Sequence, residues 1–241
     1  MTKFAFIHFE NEYSIMGKML TYSIKNIYPK STVIAIRGRS QPIIESADHC
    51  EFWEFKNGNI MYDDIACKTF IQKKYGPTVF IDTDMLIIKN LDNFLEIDGF
   101  DFSLTERGES SKLKKLNYET NKKKFPGLVN KTLGETMPYN GGLYFCKKNE
   151  VLKYMVSTFD KMEKEYFSWY GNQIALLEMV KSKQFKIKIF KDSHYNYTPS
   201  DINEDITSKS VLHFKGAKRY LFIPFFKKIF GENIFKKLFN L

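Results

Sequence analysis

The chain has 241 residues, 43% hydrophobic and 16% aromatic, which is sufficient for one α/β domain with a sizeable core. Its net charge of +9 suits an anionic partner, whether a nucleotide diphosphate, a membrane surface or a nucleic acid. Cys50, Cys67 and Cys146 form no CxxC pair, which implies neither a zinc cage nor a disulfide framework, and no stretch reaches the roughly 18 apolar residues of a spanning helix.

The first predicted elements alternate strand, helix and strand. Residues 3–9 form an apolar run that predicts a buried strand, residues 13–28 carry apolar side chains at helical spacing, and residues 32–36 form a second apolar run. This order predicts parallel pairing, because a helix must cross over the sheet between the two strands. No long apolar run precedes the first acidic residue, Glu10, so we expect no signal peptide.

Further elements follow along the chain. A helix is predicted at 63–75 and a strongly apolar strand at 78–81, whereas residues 106–137 are polar and predict loops. The other predicted strands lie at 51–55, 85–88, 100–104, 142–146, 186–190 and 210–214, and the other helices at 151–167 and 172–181. The predicted fold class is therefore α/β with a mostly parallel central sheet flanked by helices.

Two acidic residues stand at the end of the apolar strand at 78–81. This strand delivers Asp82 and Asp84 to its carboxyl end, the edge at which ligands bind in open α/β sheets. Residues two apart on an extended chain point to the same side, so both carboxylates can approach one cation. Hard oxygen ligands suit Mg²⁺ or Mn²⁺, and such ions typically also hold substrate phosphates.

The alternative is that the two acids cap a strand and face water, which is common for an isolated Asp-x-Asp. The Val-Phe-Ile run before them indicates a position over the core. Burying two close carboxylates there without a cation would be costly. The metal interpretation is therefore favoured.

The acidic strand and three other segments resemble one enzyme family. Phe-Ile-Asp-Thr-Asp-Met-Leu-Ile is similar to the Asp-x-Asp strand of glycosyltransferases with the GT-A fold. Three segments are similar to the family 8 glycosyltransferases, which include glycogenin and bacterial lipooligosaccharide galactosyltransferases: Ser-Ile-Lys-Asn-Ile-Tyr-Pro at 23–29, Tyr-Asn-Gly-Gly-Leu-Tyr-Phe at 139–145 and His-Phe-Lys-Gly-Ala-Lys-Arg at 213–219. The resemblance implies a GT-A catalytic domain over residues 1–219.

The resemblance also implies a site for a metal and a diphosphate. The family's matching histidine joins the two acids, so His213 is the expected third metal ligand, and a core or surface histidine without a ligand is the alternative. Gly216 would let the backbone approach a phosphate, while Lys218 and Arg219 would neutralise diphosphate charge. Arg219 stands where the family carries lysine, and the alternative for both basic residues is a solvated turn.

Other matches imply contacts with the sugar. Asn140 and Gly141 match residues that lie against the donor sugar, although Asn-Gly is also a favoured turn dipeptide. Asn172 and Gln173 match an Asp-Gln pair that contacts the transferred sugar, but asparagine lacks the charge of aspartate, and an N-cap is its competing role. Gln173 is a candidate for the group that attacks the sugar from the opposite face. The predicted catalytic residues are therefore Gln173, Asn172 and Asp84.

Four more residues are expected to bind the donor. Lys68 lies near the position of the family's donor-binding arginine, with a solvated helix lysine as the alternative. His8 and Glu10 end the first strand, where the nucleotide base and ribose would lie. Thr83 stands between the two acids of the metal site.

The last segment, residues 220–241, combines apolar and basic side chains. Its apolar residues recur at three- and four-residue steps with lysines between them, which predicts an amphipathic helix, broken near Gly231, on an anionic membrane. The alternative is that its aromatic side packs on the catalytic domain or a partner chain. A second basic run, Lys112–Lys124, is interpreted as a solvated surface loop, with a mobile loop over the acceptor site as the alternative.

Taken together, these patterns predict a glycosyltransferase with Mn²⁺ or Mg²⁺ as cofactor. The resemblance implies a UDP-linked hexose donor and retention of the anomeric configuration. The basic segment 220–241 and the expected lack of a signal peptide predict a cytoplasmic enzyme that associates peripherally with the membrane. Its expected acceptor is a glycan or a lipid-linked, lipopolysaccharide-type molecule. One rival is a nucleotidyltransferase, which would need further carboxylates. The other is a non-enzymatic membrane- or nucleic-acid-binding module, which would leave Asp82, Asp84 and His213 without a shared purpose; the sequence contains no recognisable nucleic-acid motif.

Overall fold

A computed structural model describes residues 1–9, 11–54, 60–96, 98–115, 131–163 and 169–241. These residues form two compact units. The first unit comprises Met1–Glu54, Val79–Asp92 and Ser193–Leu241, and the second comprises the described parts of Phe55–Thr78 and Asn93–Asp192. The predicted binding residue Glu10, residues 116–124 of the second basic run and the end of the helix predicted at 151–167 lie outside the described residues.

Parallel strands in the order β3-β2-β1-β4 run through the first unit. They are β1 (Lys3–His8), β2 (Thr32–Arg37), β3 (His49–Phe52) and β4 (Thr78–Ile81), of which the last three residues of β4 belong to this unit. Helix α1 (Asn11–Ile27) connects β1 to β2, as the alternating pattern predicts. Phe4, Phe6 and Phe80 are almost fully shielded from solvent, as expected for parallel strands that are covered on both faces.

A two-stranded antiparallel ladder follows the acidic pair. Strand β5 (Met85–Ile87) pairs with β9 (Val211–His213), and Met85 lies opposite His213. Every residue of both strands is buried. The ladder thereby brings a late segment of the chain to the residues that follow β4.

The C-terminal segment forms two helices that pack in the first unit. A 3-10 helix (Gly216–Leu221) leads into α9 (Phe222–Phe230), and Gly231, with a φ of +96°, separates α9 from α10 (Glu232–Phe239). The buried side of α9 joins the core of the first unit through Phe222, Phe225 and Phe226, which pack with Met19, Leu86, Leu212 and Phe214. The aromatic side of this segment therefore packs on the first unit. This agrees with the alternative interpretation, in which that side covers the catalytic domain and not a membrane.

The described part of the second unit is built from three strands and three long helices. Strand β6 (Phe102–Glu106) lies between β7 (Tyr139–Cys146), which is antiparallel to it, and β8 (Ile187–Phe190), which is parallel. The long helices that pack on one another are α2 (Ile60–Tyr75), α6 (Asn149–Asp160) and α7 (Trp169–Lys181). Short helices of the described residues in this unit are α4 (Glu109–Lys112), α5 (Leu133–Thr136) and most of α3 (Asp92–Leu95), whereas most of α8 (Asp192–Tyr195) belongs to the first unit.

The polar region 106–137 is not made of loops alone. It contains α4 and α5, and α5 begins with a capping box in which the side chains of Thr132 and Glu135 each accept a main-chain N–H of the other residue. A capping box satisfies the free amides at a helix start without any apolar periodicity. The loop prediction was wrong at both helices, and the capping box is the physical reason at α5.

The chain is α/β, with a mostly parallel sheet flanked by helices, and this confirms the predicted fold class. Among the described residues, none of the helices combines the length and apolar character needed to cross a bilayer.

Candidate functional site

The acidic turn between β4 and β5 presents one buried and one accessible carboxylate. Thr83 donates a hydrogen bond from Oγ1 to the carbonyl oxygen of Ile7 at 2.9 Å, which ties the turn to β1. The side chain of Asp84 is 8% exposed, whereas that of Asp82 is 44% exposed. The hydroxyl of Thr83 thus holds the turn in place, and its predicted contact with the donor stays a prediction.

His213 lies beside this turn because of the β5–β9 ladder. The main-chain N–H of Phe214 donates to the carbonyl oxygen of Asp84 at 2.9 Å and extends the pairing by one step. Nε2 of His213 is 3.1 Å from Oδ1 of Asp84 and 3.8 Å from Oδ2 of Asp82. One ligand atom from each of the three residues lies within 4.8 Å of the other two, so the cluster is compact enough to hold one metal ion.

A buried asparagine sets the orientation of the histidine ring. Oδ1 of Asn196 lies 2.7 Å from Nδ1 of His213. A carboxamide oxygen can only accept, so Nδ1 carries the proton and donates. Nε2 is then the nitrogen that faces the carboxylates. It holds a proton against Asp84 when the ring is charged, and it offers its lone pair to a metal when the ring is neutral.

Asn196 was not predicted from the sequence. It stands in a Tyr-Asn-Tyr segment with no metal-ligand spacing, and its position follows from the bridge between Tyr197 and Leu212 of β9. Only the three-dimensional pairing relates it to His213.

Arg219 approaches the second oxygen of Asp84. Its Nε donates to Oδ2 at 3.1 Å, and its guanidinium carbon lies 5.0 Å from the ring centre of Tyr13. Burial acts to raise the pKa of Asp84, but the charges of His213 and Arg219 and their hydrogen bonds outweigh burial and hold that pKa below its ordinary value. Asp84 is therefore ionised at neutral pH.

Gly216 and Lys218 lie on the same 3-10 helix as Arg219. Gly216 has a φ of +53°, a left-handed conformation that favours glycine, and a Cβ there would meet nothing within 4 Å. Lys218 donates from Nζ to the carbonyl oxygen of Ser200 at 2.9 Å. Of the two basic residues predicted to meet a diphosphate, Arg219 is the one that contacts the acidic cluster.

His8 ends β1 as a buried, neutral side chain. Its Nδ1 lies 3.0 Å from Oγ of Ser14. Burial, followed by the charge of Arg37, lowers the pKa of His8 to about 4. Its predicted contact with the nucleotide stays a prediction.

In the second unit, Asp64 joins two of the predicted residues. Lys68 is 5% exposed, and its Nζ lies 2.9 Å from Oδ1 of Asp64, so the interpretation of a solvated lysine was wrong. Asn172 donates from Nδ2 to Oδ2 of Asp64 at 3.2 Å. Helix α7 begins at Trp169, which lies before Asn172, so the N-cap interpretation of this asparagine was also wrong. Asp64 itself had no motif to mark it.

Asn140 and Gly141 lie within β7, so the interpretation of this pair as an ordinary turn was wrong. The register of the β6–β7 pairing shifts between Leu104 and Thr105, at the level of Asn140, and such bulges re-aim side chains near functional sites. A Cβ at Gly141 would lie 2.7 Å from Nε2 of Gln173. The bulge and Gln173 are therefore in direct contact.

Comparison with known proteins identifies the fold. No family model and no curated protein sequence matches the chain. A glycosyltransferase involved in glycosylation of the major capsid of PBCV-1 superposes with a TM-score of 0.61 at 13% identity, over 95% of this chain and 99% of that one. The bifunctional glycosyltransferase WbbM superposes with a TM-score of 0.60 at 11% identity, over 98% of this chain and 51% of that one.

A third solved structure, the galactosyltransferase LgtC in complex with donor and acceptor sugar analogues, superposes with a TM-score of 0.55 at 11% identity, over 95% of this chain and 96% of that one. The chain has the GT-A fold. This confirms the fold expected from the sequence resemblance. In this GT-A chain the first unit contains the cluster of Asp82, Asp84 and His213, and the second contains the contacts of Lys68, Asn172 and Gln173.

We expect Asn196→Ala to weaken Mn²⁺ binding by about 10- to 100-fold, because losing the outer hydrogen bond lets the ring of His213 rotate and change tautomer. The affinity can be measured from the EPR signal of free Mn²⁺ during a titration. Asn203→Ala, which removes an exposed asparagine from the same unit, is the matched control and should bind as the wild type does. Unchanged affinity in a folded Asn196→Ala variant would contradict the assigned role.

Proposed function

We propose that this chain is a metal-dependent glycosyltransferase that takes a sugar from a nucleotide-diphosphate donor and transfers it to a glycan. The observation that carries the proposal is the cluster of Asp82, Asp84 and His213 at the carboxyl end of β4 in a GT-A fold. Two carboxylates and one oriented imidazole are a suitable ligand set for Mn²⁺ or Mg²⁺. The buried, ionised state of Asp84 supports the same assignment.

A divalent ion held by these three residues would neutralise the donor diphosphate and help it to leave. Arg219 adds positive charge beside the same carboxylate, and fixed charge of that sign stabilises a departing diphosphate. Asn196 keeps the imidazole in its ligating tautomer. His8, uncharged at neutral pH, is assigned to the nucleotide base or ribose.

The finer assignments rest on the family resemblance. We assign UDP-linked hexose as the donor, Mn²⁺ as the preferred ion and retention of the anomeric configuration as the outcome. The transferred sugar is assigned to Asn140, Gly141, Asn172 and Gln173 of the second unit, and Lys68 of the same unit is assigned to donor binding. The burial of Lys68 against Asp64 and the contact of Gln173 with Gly141 support a preorganised site.

Calorimetric titration with UDP in the presence and absence of Mn²⁺ tests the metal assignment. We expect Asp84→Asn to weaken Mn²⁺-dependent UDP binding by more than about 100-fold, because a direct ligand matters more than an outer-shell partner. Asp82→Asn, at the more exposed ligand, repeats the test with less risk to folding. Asp205→Asn, at an exposed acid of the same unit, should bind as the wild type does.

Retention of Mn²⁺-dependent binding in both folded variants would refute the assignment. A screen of nucleotide-sugars for Mn²⁺-dependent hydrolysis, with UDP-glucose and UDP-galactose first, would identify the donor. Turnover of nucleoside triphosphates without turnover of any nucleotide-sugar would instead support the nucleotidyltransferase alternative.

We further propose that the C-terminal helices meet an anionic membrane and that the acceptor is lipid-linked. The aromatic side of α9 is buried, but Tyr220 is 66% exposed and Ile223 is 38% exposed. The exposed side of α10 carries Lys236 and Lys237. Exposed apolar residues and exposed lysines on one C-terminal segment suit peripheral contact with anionic headgroups from the cytoplasmic side.

Sedimentation with vesicles that contain phosphatidylserine tests this surface. Each lysine near such a membrane contributes about 1 kcal/mol, so the double variant Lys236→Gln and Lys237→Gln should bind about 30-fold more weakly. The matched control removes two exposed lysines elsewhere, through Lys30→Gln and Lys153→Gln, and should bind as the wild type does. Equal binding by both double variants would contradict a membrane role for α10.

A further inference from the structure

Arg107 follows β6 and is anchored to the main chain before β7. Its main-chain N–H donates to the carbonyl oxygen of Pro138 at 2.7 Å. Its side-chain Nε donates to the carbonyl oxygen of Met137, also at 2.7 Å. The side chain is half-buried. These bonds leave the outer end of the guanidinium in a fixed direction.

That outer end holds the side chain of Gln173. Nη2 of Arg107 donates to Oε1 of Gln173 at 3.3 Å. A guanidinium has donors and no acceptor, so the amide atom that faces it must be the oxygen. The amide nitrogen of Gln173 therefore faces Gly141, where an added Cβ would approach it to 2.7 Å.

Asn172 and Gln173, which are consecutive on α7, are thus each fixed by a charged side chain. Gln173 is held by Arg107, and Asn172 is held by Asp64, which is itself paired with Lys68. Holding side chains in one rotamer by a supporting shell is the arrangement that precise positioning of a substrate requires.

We propose that Arg107 is a positioning residue for sugar transfer, which acts by fixing the carboxamide of Gln173 with its N–H₂ group toward Gly141. This rests on the proposed function, in which Gln173 contacts the transferred sugar. Without the guanidinium, the amide can rotate, and the group presented to the sugar is no longer set. Arg107 itself need not touch the substrate.

A double-mutant cycle on sugar transfer tests the proposal. Arg107→Met, which keeps the length and removes the donors, should lower kcat by about 10- to 100-fold and leave the KM for the donor nearly unchanged, because misplacement costs transition-state stabilisation. In the Gln173→Ala background, Arg107→Met should cause no further loss. Arg107→Lys, which keeps the charge and can donate to Oε1, should recover part of kcat. Arg39→Met, at an exposed arginine paired with Glu54, is the matched control and should transfer as the wild type does.

Additive losses of kcat in the cycle, or a wild-type kcat in Arg107→Met, would overturn the proposal. If Arg107→Met does not fold, the comparison of Arg107→Lys with and without Gln173→Ala applies the same criterion. A wild-type protein that transfers sugar from no nucleotide-sugar would overturn the proposed function itself. That outcome differs from an active wild-type protein in which the kcat losses of Arg107→Met and Gln173→Ala add, because the latter would overturn only the role of Arg107.

Discussion

The pairing of β5 with β9 is the constraint on which the candidate site depends. With Met85 opposite His213, it brings an imidazole from the late part of the chain to the acidic turn after β4. The side chains of a strand alternate between its two faces, so a slip of one residue would move every side chain of this ladder to the opposite face and turn His213 away from Asp84. The buried aromatics of α9 pack against Leu86 and Leu212 of this ladder, so the core of the first unit also holds its register.

The charges around Asp84 explain why a carboxylate can be buried there. Each of its oxygens has one partner, His213 at Oδ1 and Arg219 at Oδ2. Burial of an unpaired carboxylate is costly, and these two partners hold its pKa below the ordinary value. The same arrangement prepares an ionised ligand in a site where Asn196 also directs Nε2 of His213 at the carboxylates.

The sequence predicted the parts of the site that have local causes. Asp82 and Asp84 could be found because an apolar strand leads directly to them, whereas His213 required a family resemblance, since nothing local relates it to the acidic pair. Asn196, Asp64 and Arg107 were missed because each acts through a partner far away in the sequence. The amphipathic pattern of the last segment predicted helices, but a pattern alone does not distinguish a protein core from a membrane as the surface that covers the apolar side.

Pulsed EPR of Mn²⁺ bound to protein labelled with ¹⁵N-histidine shows directly whether His213 is a metal ligand. We expect a ¹⁵N hyperfine coupling from one histidine, because Nε2 of His213 lies with the two carboxylates in one cluster. The coupling should disappear in His213→Gln and persist in His194→Gln, at an exposed histidine of the same unit. Bound Mn²⁺ without any ¹⁵N coupling, or a coupling that survives in His213→Gln, would contradict a cation held jointly by Asp82, Asp84 and His213.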